Sequence, residues 1–173
     1  MDLAALIRNV PDFPKKGIQF KDITTLLLYP DAFREIVDGW KKRYSDGKIT
    51  VIVAADARGF VFGGALAYAM GLPIVLARKK GKLPAETIAA EYELEYGTAV
   101  MEVHADALKR GDRVLIIDDL LATGGTVKAI AELVRKLDAE VVEAAFVVEL
   151  PPLGGRAKLA GIPVHTLVEF MVE

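Results

Sequence analysis

Residues 114–126 read VLIIDDLLATGGT, and two adjacent acids followed by a run of small residues are types that can grip a phosphorylated sugar. Asp118 and Asp119 offer carboxylate oxygens to hydroxyl groups, or to a cation resting on them. Leu120, Ala122, Thr123, Gly124, Gly125 and Thr126 form a turn that opens a helical pattern. Bare backbone N–H groups at the positive end of a helix cradle a phosphate. A nucleoside-triphosphate loop would read GxxxxGK followed by Ser or Thr, and a dinucleotide fold would place GxGxxG after its first strand. This chain has neither. One phosphate beside two acids suits a ribose monoester better than either. The plainer alternative is a strand–turn–helix corner with two solvated acids, against which stand the acid pair, the small-residue turn and the capping threonines occurring together.

A second set of candidates follows other apolar runs. In AADARG, residues 54–59, Arg58 supplies a planar fork suited to an anion, unless it merely pairs with Asp56. Arg78, Lys79, Lys80 and Lys82 follow in RKKGKLP. Such a charge run is usually a solvated face. Here it meets a glycine at the same end of a sheet as the phosphate turn. The two histidines, His104 and His165, have no Ser or Cys partner motif and read as structural. A last basic turn holds Gly154, Gly155, Arg156 and Lys158, and also reads as structural.

The elements that must position these residues alternate in type. Helical spacing places Phe33, Ile36, Val37 and Trp40 on one face over residues 32–44, and Val127, Ile130, Ala131, Val134 and Leu137 on one face of a later helix. Apolar runs at 49–55, 73–77, 113–117, 141–148 and 164–170 read as buried strands. Residues 59–77 carry no charge, which is long enough to suggest a membrane span. Gly71 and Pro73 interrupt the run, so a helix over 58–70 followed by a strand explains it better. Residues 86–103 alternate with aromatics and read as an antiparallel excursion. The expected fold is therefore α/β: a mostly parallel twisted sheet flanked by helices on both faces, in a single domain over 1–173. Ligands of such sheets bind beyond the carboxyl ends of the strands.

Composition narrows the function. A hydrophobic fraction of 53% argues against disorder, and a net charge of −2 offers no nucleic-acid footprint. There is no cysteine, hence no disulfide or thiolate metal site. The first ten residues are too short and too polar for a secretory signal, so a cytoplasmic location is expected, with no membrane partner.

Together these segments resemble the type I phosphoribosyltransferase family over nearly the whole chain, DLLATGGT being the most specific stretch. The resemblance implies that family's fold and a transfer of the 5-phosphoribosyl group from 5-phosphoribosyl 1-diphosphate to adenine, giving AMP and pyrophosphate in purine salvage. It implies that Asp118 and Asp119 hold the ribose hydroxyls and that Ala122 to Thr126 bind the 5′-phosphate. Arg58 and Lys82 would contact the pyrophosphate, with Lys79 a lesser candidate. PDFPKKGIQFKDIT is similar to the family's base-binding segment: Phe20 would stack on the purine, Leu120 would cover its other face, and the backbones of Gln19 and Lys21 would read its edge. Relatives often carry Arg where this chain has Lys21. Glu95 and Tyr96 fall in LEYG, a segment that closes over the site, with Glu95 placed near the base as a catalytic partner alongside Arg58. Mg²⁺ is the implied cofactor, carried on substrate oxygens and water near Asp118 and Asp119 rather than by direct protein ligation. The resemblance also implies a homodimer, for which an apolar segment over residues 3–7 could serve. Two other readings are transfer to hypoxanthine, guanine or xanthine, and a non-catalytic nucleotide-sensing regulator of the same fold.

Overall fold

Apolar runs punctuated by glycine and proline become the strands of one sheet. The structure, a computed structural model, describes residues 1–94 and 97–171. A two-stranded antiparallel hairpin comes first, β1 (Arg8–Pro11) and β2 (Gln19–Asp22), then helix α1 (Pro30–Arg43). Strand β3 (Val51–Ala55), helix α2 (Gly59–Met70) and strand β4 (Ile74–Lys79) form a parallel unit. The hairpin β5 (Thr87–Leu94) and β6 (Gly97–His104) follows. Then come β7 (Arg113–Leu121), α3 (Gly125–Lys136), β8 (Glu140–Glu149), the short α4 (Gly155–Lys158) and β9 (Val164–Glu169). The main sheet runs β5-β6-β4-β3-β7-β8-β9. Only β5 and β6 are antiparallel in it, so the expected excursion is a hairpin at one edge.

Burial explains the arrangement. All of β3 is buried, as a central parallel strand requires. Val51, Val53 and Ala55 pack with Val114, Ile116 and the α3 residues Val127, Ile130 and Val134. Ile52 packs on the other face with Leu115, Ile117 and Trp40, Phe62 and Leu66 of α1 and α2. Helices therefore cover both faces. α1 starts at Pro30, two residues before the spacing predicts, because proline suits a first helical turn and Asp31 favours its dipole. The uncharged stretch resolves into α2 and β4, and no described helix is long and apolar enough to cross a membrane.

Two boundaries differ from expectation. β7 does not stop at Ile117. Its ladder with β8 continues through Asp118, Leu120 and Leu121, so Leu120, expected in the turn, sits on the strand with both acids. β4 runs on to Lys79 because Arg78 and Lys79 pair with Glu102 and Met101 of β6. The N-terminal residues Leu3, Ala4 and Leu6 pack inward on the α1–α2 core, which leaves less of that segment open than its apolar pattern suggests.

Candidate functional site

Three segments meet beyond the carboxyl ends of β3, β4 and β7. The first is the cradle. Ala122, Thr123 and Gly124 link β7 to α3, with Gly124 at φ +86° as the N-cap residue. No side chain caps α3, so the threonines do not perform the capping expected of them. The first-turn N–H groups of α3 therefore remain open to an anion. A hollow of about 80 Å³ lies here, lined by Asp118, Leu120 and residues 121–127.

The acids stand at its rim. Asp119 is almost fully buried. Its backbone N–H donates to Asp118 Oδ1 at 2.8 Å. Burial first, and the charge of Asp119 second, push the Asp118 carboxyl well above the usual carboxylate range. α2 packs close by: a Cβ added at Gly59 would fall 2.9 Å from Asp118 Oδ1, so a side chain there would displace the acid.

The second segment is the turn after β3, where the Asp56–Ala57 peptide is cis. Arg58 does not pair with Asp56. Its Nε donates to Asp119 Oδ2 at 2.5 Å, and its guanidinium lies 5.5 Å from the Phe20 ring centre. Burial alone would lower the Arg58 pKa, but the hydrogen bond and charge of Asp119 outweigh it and raise the value. Asp56 instead accepts from Arg78 Nε at 3.3 Å, which withdraws Arg78 from the basic run. Lys79 faces the cleft, whereas Lys82 is exposed in the following turn and outside the cleft wall.

The third segment is the β1–β2 hairpin. Phe20 meets Phe13 edge-on with ring centres 5.1 Å apart. Lys21 is buried, with Nζ donating to Asn9 Oδ1 at 2.9 Å and lying 4.6 Å from the Phe170 ring centre. Its side chain is committed elsewhere, so only its backbone remains to read a base. Arg8 and Thr24 both donate to Asp22, which fixes the end of the hairpin and lowers Asp22 to about 2, chiefly through Thr24 and then Arg8.

One cleft of about 400 Å³ joins the first two segments, lined by Asp56, Ala57, Arg58, Lys79, Asp118, Asp119, Leu120 and Thr126, and the hairpin meets it through Phe20 beside Arg58. Tyr92 and Met101 of the edge hairpin complete its wall. Those two were not singled out in the sequence; Tyr92 was visible only as one aromatic in an alternating strand. Glu95 and Tyr96 lie outside the described residues, between Leu94 and Gly97, which pair with each other.

Known proteins share this sequence pattern and fold. Residues 24–160 match the profile of the phosphoribosyl transferase domain. The chain is 54% identical over 171 residues to the adenine phosphoribosyltransferase of Acetivibrio thermocellus, covering 98% of this chain and 100% of the relative. It is similar in structure to the adenine phosphoribosyltransferase of Thermoanaerobacter pseudethanolicus, with a TM-score of 0.94, 50% identity and 98% of each chain covered. The Trypanosoma brucei adenine phosphoribosyl transferase, solved with AMP, pyrophosphate and ribose-5-phosphate, matches at a TM-score of 0.89 and 31% identity over 96% of this chain and 78% of its own. On sequence and structure alike, the chain belongs to the adenine phosphoribosyltransferase family.

Proposed function

We propose that this chain transfers the 5-phosphoribosyl group of 5-phosphoribosyl 1-diphosphate to a ring nitrogen of adenine, releasing pyrophosphate and making AMP for purine salvage. The observation that carries the reading is the single cleft joining an uncapped helix start, two acids and a cationic turn. The open amides of residues 122–126 receive the 5′-phosphate, joined by the Thr123 hydroxyl and by the Thr126 hydroxyl once it leaves Tyr92, with which it shares a hydrogen bond. Asp118 and Asp119 hold the ribose hydroxyls. Arg58, Lys79 and Lys82 take the pyrophosphate, Lys79 being the lysine on the cleft wall. Phe20 and Leu120 cover the two faces of adenine. The β2 edge away from β1 has no strand partner among the described residues, which leaves alternate backbone groups for the base. Gln19 and Lys21 are two apart and share that edge.

Charge placement does most of the chemistry. Negative charge grows on the leaving pyrophosphate, and fixed cations stabilise that growth more than they stabilise the ground state. Glu95 and Tyr96 close over the base, exclude water from an oxocarbenium-like sugar, and put a carboxyl beside the nitrogen that gains electron density. The donor set fits magnesium held through substrate and water. Among the described residues no three metal-binding side chains gather, yet the acid pair offers hard oxygens beside the sugar site. When bound, the ion neutralises diphosphate oxygens.

The working unit is a homodimer in the cytoplasm. Val61 and Tyr68, seven residues apart on α2, and Ile74 and Leu76 on neighbouring β4 are exposed apolar side chains, and they suit a second copy better than solvent. Phosphorylated substrates do not cross membranes unaided, which favours the cytoplasm. The test is incubation with the sugar diphosphate, Mg²⁺ and adenine, hypoxanthine, guanine or xanthine separately. AMP from adenine alone is expected. No product with any base, or product from an oxopurine only, overturns the proposal.

A further inference from the structure

The basic turn at residues 154–158 has no part in the assignments above, yet its backbone lies against the cradle. A Cβ added at Gly124 would fall 2.8 Å from Gly155 O. One added at Gly155 would fall 2.6 Å from Ala122 O and 2.8 Å from Leu121 Cδ1. Two glycines from separate segments thus interlock, backbone on backbone, behind the loop that receives the phosphate. A methyl at either place must move main chain, because no flexible side-chain tip alone stands in the way.

The next residue anchors Gly155. Arg156 Nε donates to both oxygens of Glu149 at 2.8 and 3.0 Å, and its Nη2 donates to Glu149 Oε2 at 2.8 Å. Arg156 also donates to the Val164 carbonyl at 3.1 Å and to Thr166 Oγ1 at 3.3 Å, while Thr166 donates to Glu149 at 3.1 Å. Glu149 is only 3% exposed and is the ladder partner of Leu121, the residue entering the cradle. The Leu150 N–H donates to the Leu121 carbonyl, binding the two strand ends further. Contacts therefore close a ring from Leu121 through Glu149, Arg156 and Gly155 back to Ala122. A bidentate fork on a buried carboxylate fixes direction as well as distance, which an ammonium would not.

We propose that Gly155 and Arg156 are positioning residues for the 5′-phosphate site, forming a clasp that sets how far back the cradle amides lie. The inference rests on reading the cradle as the monoester site. Displacement on the order of 1 Å at such a site can cost about a hundredfold.

Binding of three probes to the whole protein, by calorimetry, tests it: ribose 5-phosphate, AMP and pyrophosphate. Gly155→Ala is expected to weaken ribose 5-phosphate and AMP tenfold or more and to leave pyrophosphate within twofold. Arg156→Lys keeps the charge but loses the fork, and should weaken the same two several-fold; it carries the test if Gly155→Ala does not fold. Leu159→Ala, a buried core change in the same segment, is the control and should lower the melting temperature and spare all three affinities. Unchanged ribose 5-phosphate affinity in the folded variants overturns the clasp alone. So does a parallel loss of every probe that Leu159→Ala reproduces. Failure of the unaltered protein to bind ribose 5-phosphate or AMP overturns the monoester reading, and the clasp with it.

Discussion

Arg58 Nε lies 2.5 Å from Asp119 Oδ2, tying the turn after β3 to the end of β7. Arg58 is half-exposed while Asp119 is buried, so the cation is the partner open to an arriving ligand. In the free protein, the group suited to the leaving pyrophosphate thus rests on an acid suited to the sugar. On the proposed function, ribose hydroxyls arriving at Asp119 would replace the guanidinium and free the fork for the diphosphate. The Phe20 ring lies 5.5 Å from the same guanidinium.

Arg58→Ala is accordingly expected to lower kcat/KM for the sugar diphosphate by about 10²–10³-fold, the usual cost of one pre-placed donor at a developing anion. Pyrophosphate affinity should fall in step. Ribose 5-phosphate, whose contacts are with the cradle and acids, should bind within a fewfold of the unaltered protein. Steady-state kinetics with product inhibition would read both, and equal losses for the two ligands would remove Arg58 from the pyrophosphate.

Asp118 gives a prediction about stability. Burial and Asp119 raise its carboxyl above the ordinary value near 4, so the folded state favours its protonated form. That contribution is complete below the unfolded value and is lost as pH rises through the folded one. Asp118→Asn keeps an oxygen to accept the Asp119 N–H and discards the charge. It should gain about 1–2 kcal/mol at pH 8, or roughly 2–8 °C in melting temperature, while activity falls more than a hundredfold. The gain should shrink at pH 5. Scanning calorimetry at the two pH values would show it, and a lower melting temperature at pH 8 would contradict the account.

The sequence made the site's parts visible where chemistry is local. VLIIDDLLATGGT carries its strand, acids, turn and helix in one stretch, and Gly71 with Pro73 divides α2 from β4. What it hid was pairing across distance. The continuation of β7 to Leu121 depends on β8, and the partner of Arg58 lies 61 residues away. The hairpin under Phe20 uses strands of four residues, RNVP and QFKD, without clear alternation, so its existence rests on contacts such as Arg8 with Asp22. Residues 154–156 read as a basic turn, but nothing local reports that Gly155 touches Ala122.

That hairpin yields a third prediction. Asp22 is lowered to about 2 by Thr24 and then Arg8, so its stabilisation is present above the unfolded value near 4 and lost as pH falls from about 4 to about 2. The Asp22 side chain is largely covered but its partner Arg8 is mostly exposed, and such a half-open pair contributes at most about 1 kcal/mol. Asp22→Asn should therefore leave the melting temperature within roughly 2–4 °C. It should nevertheless raise KM for adenine severalfold at neutral pH, because it loosens the strand carrying Phe20. KM for the sugar diphosphate should stay constant. An unaltered adenine KM would mean that the hairpin end does not hold the base.

Glu95 falls between Leu94 and Gly97, the pair at the tip of the edge hairpin, whose Tyr92 already lines the cleft. In the proposed reaction Glu95 serves the base, so its effect belongs to the chemical step rather than to holding the phosphate. Glu95→Ala should lower turnover more than tenfold, within the 10²–10⁴ range typical of positioned proton transfer, with sugar-diphosphate affinity almost unchanged. Glu95→Gln separates two roles. An amide can donate a hydrogen bond to the base nitrogen but cannot deliver a proton at neutral pH. Single-turnover rates near the unaltered protein in Gln would assign Glu95 to hydrogen bonding. Rates as low as Ala would assign it to proton transfer, and full turnover in both variants would exclude it from the reaction.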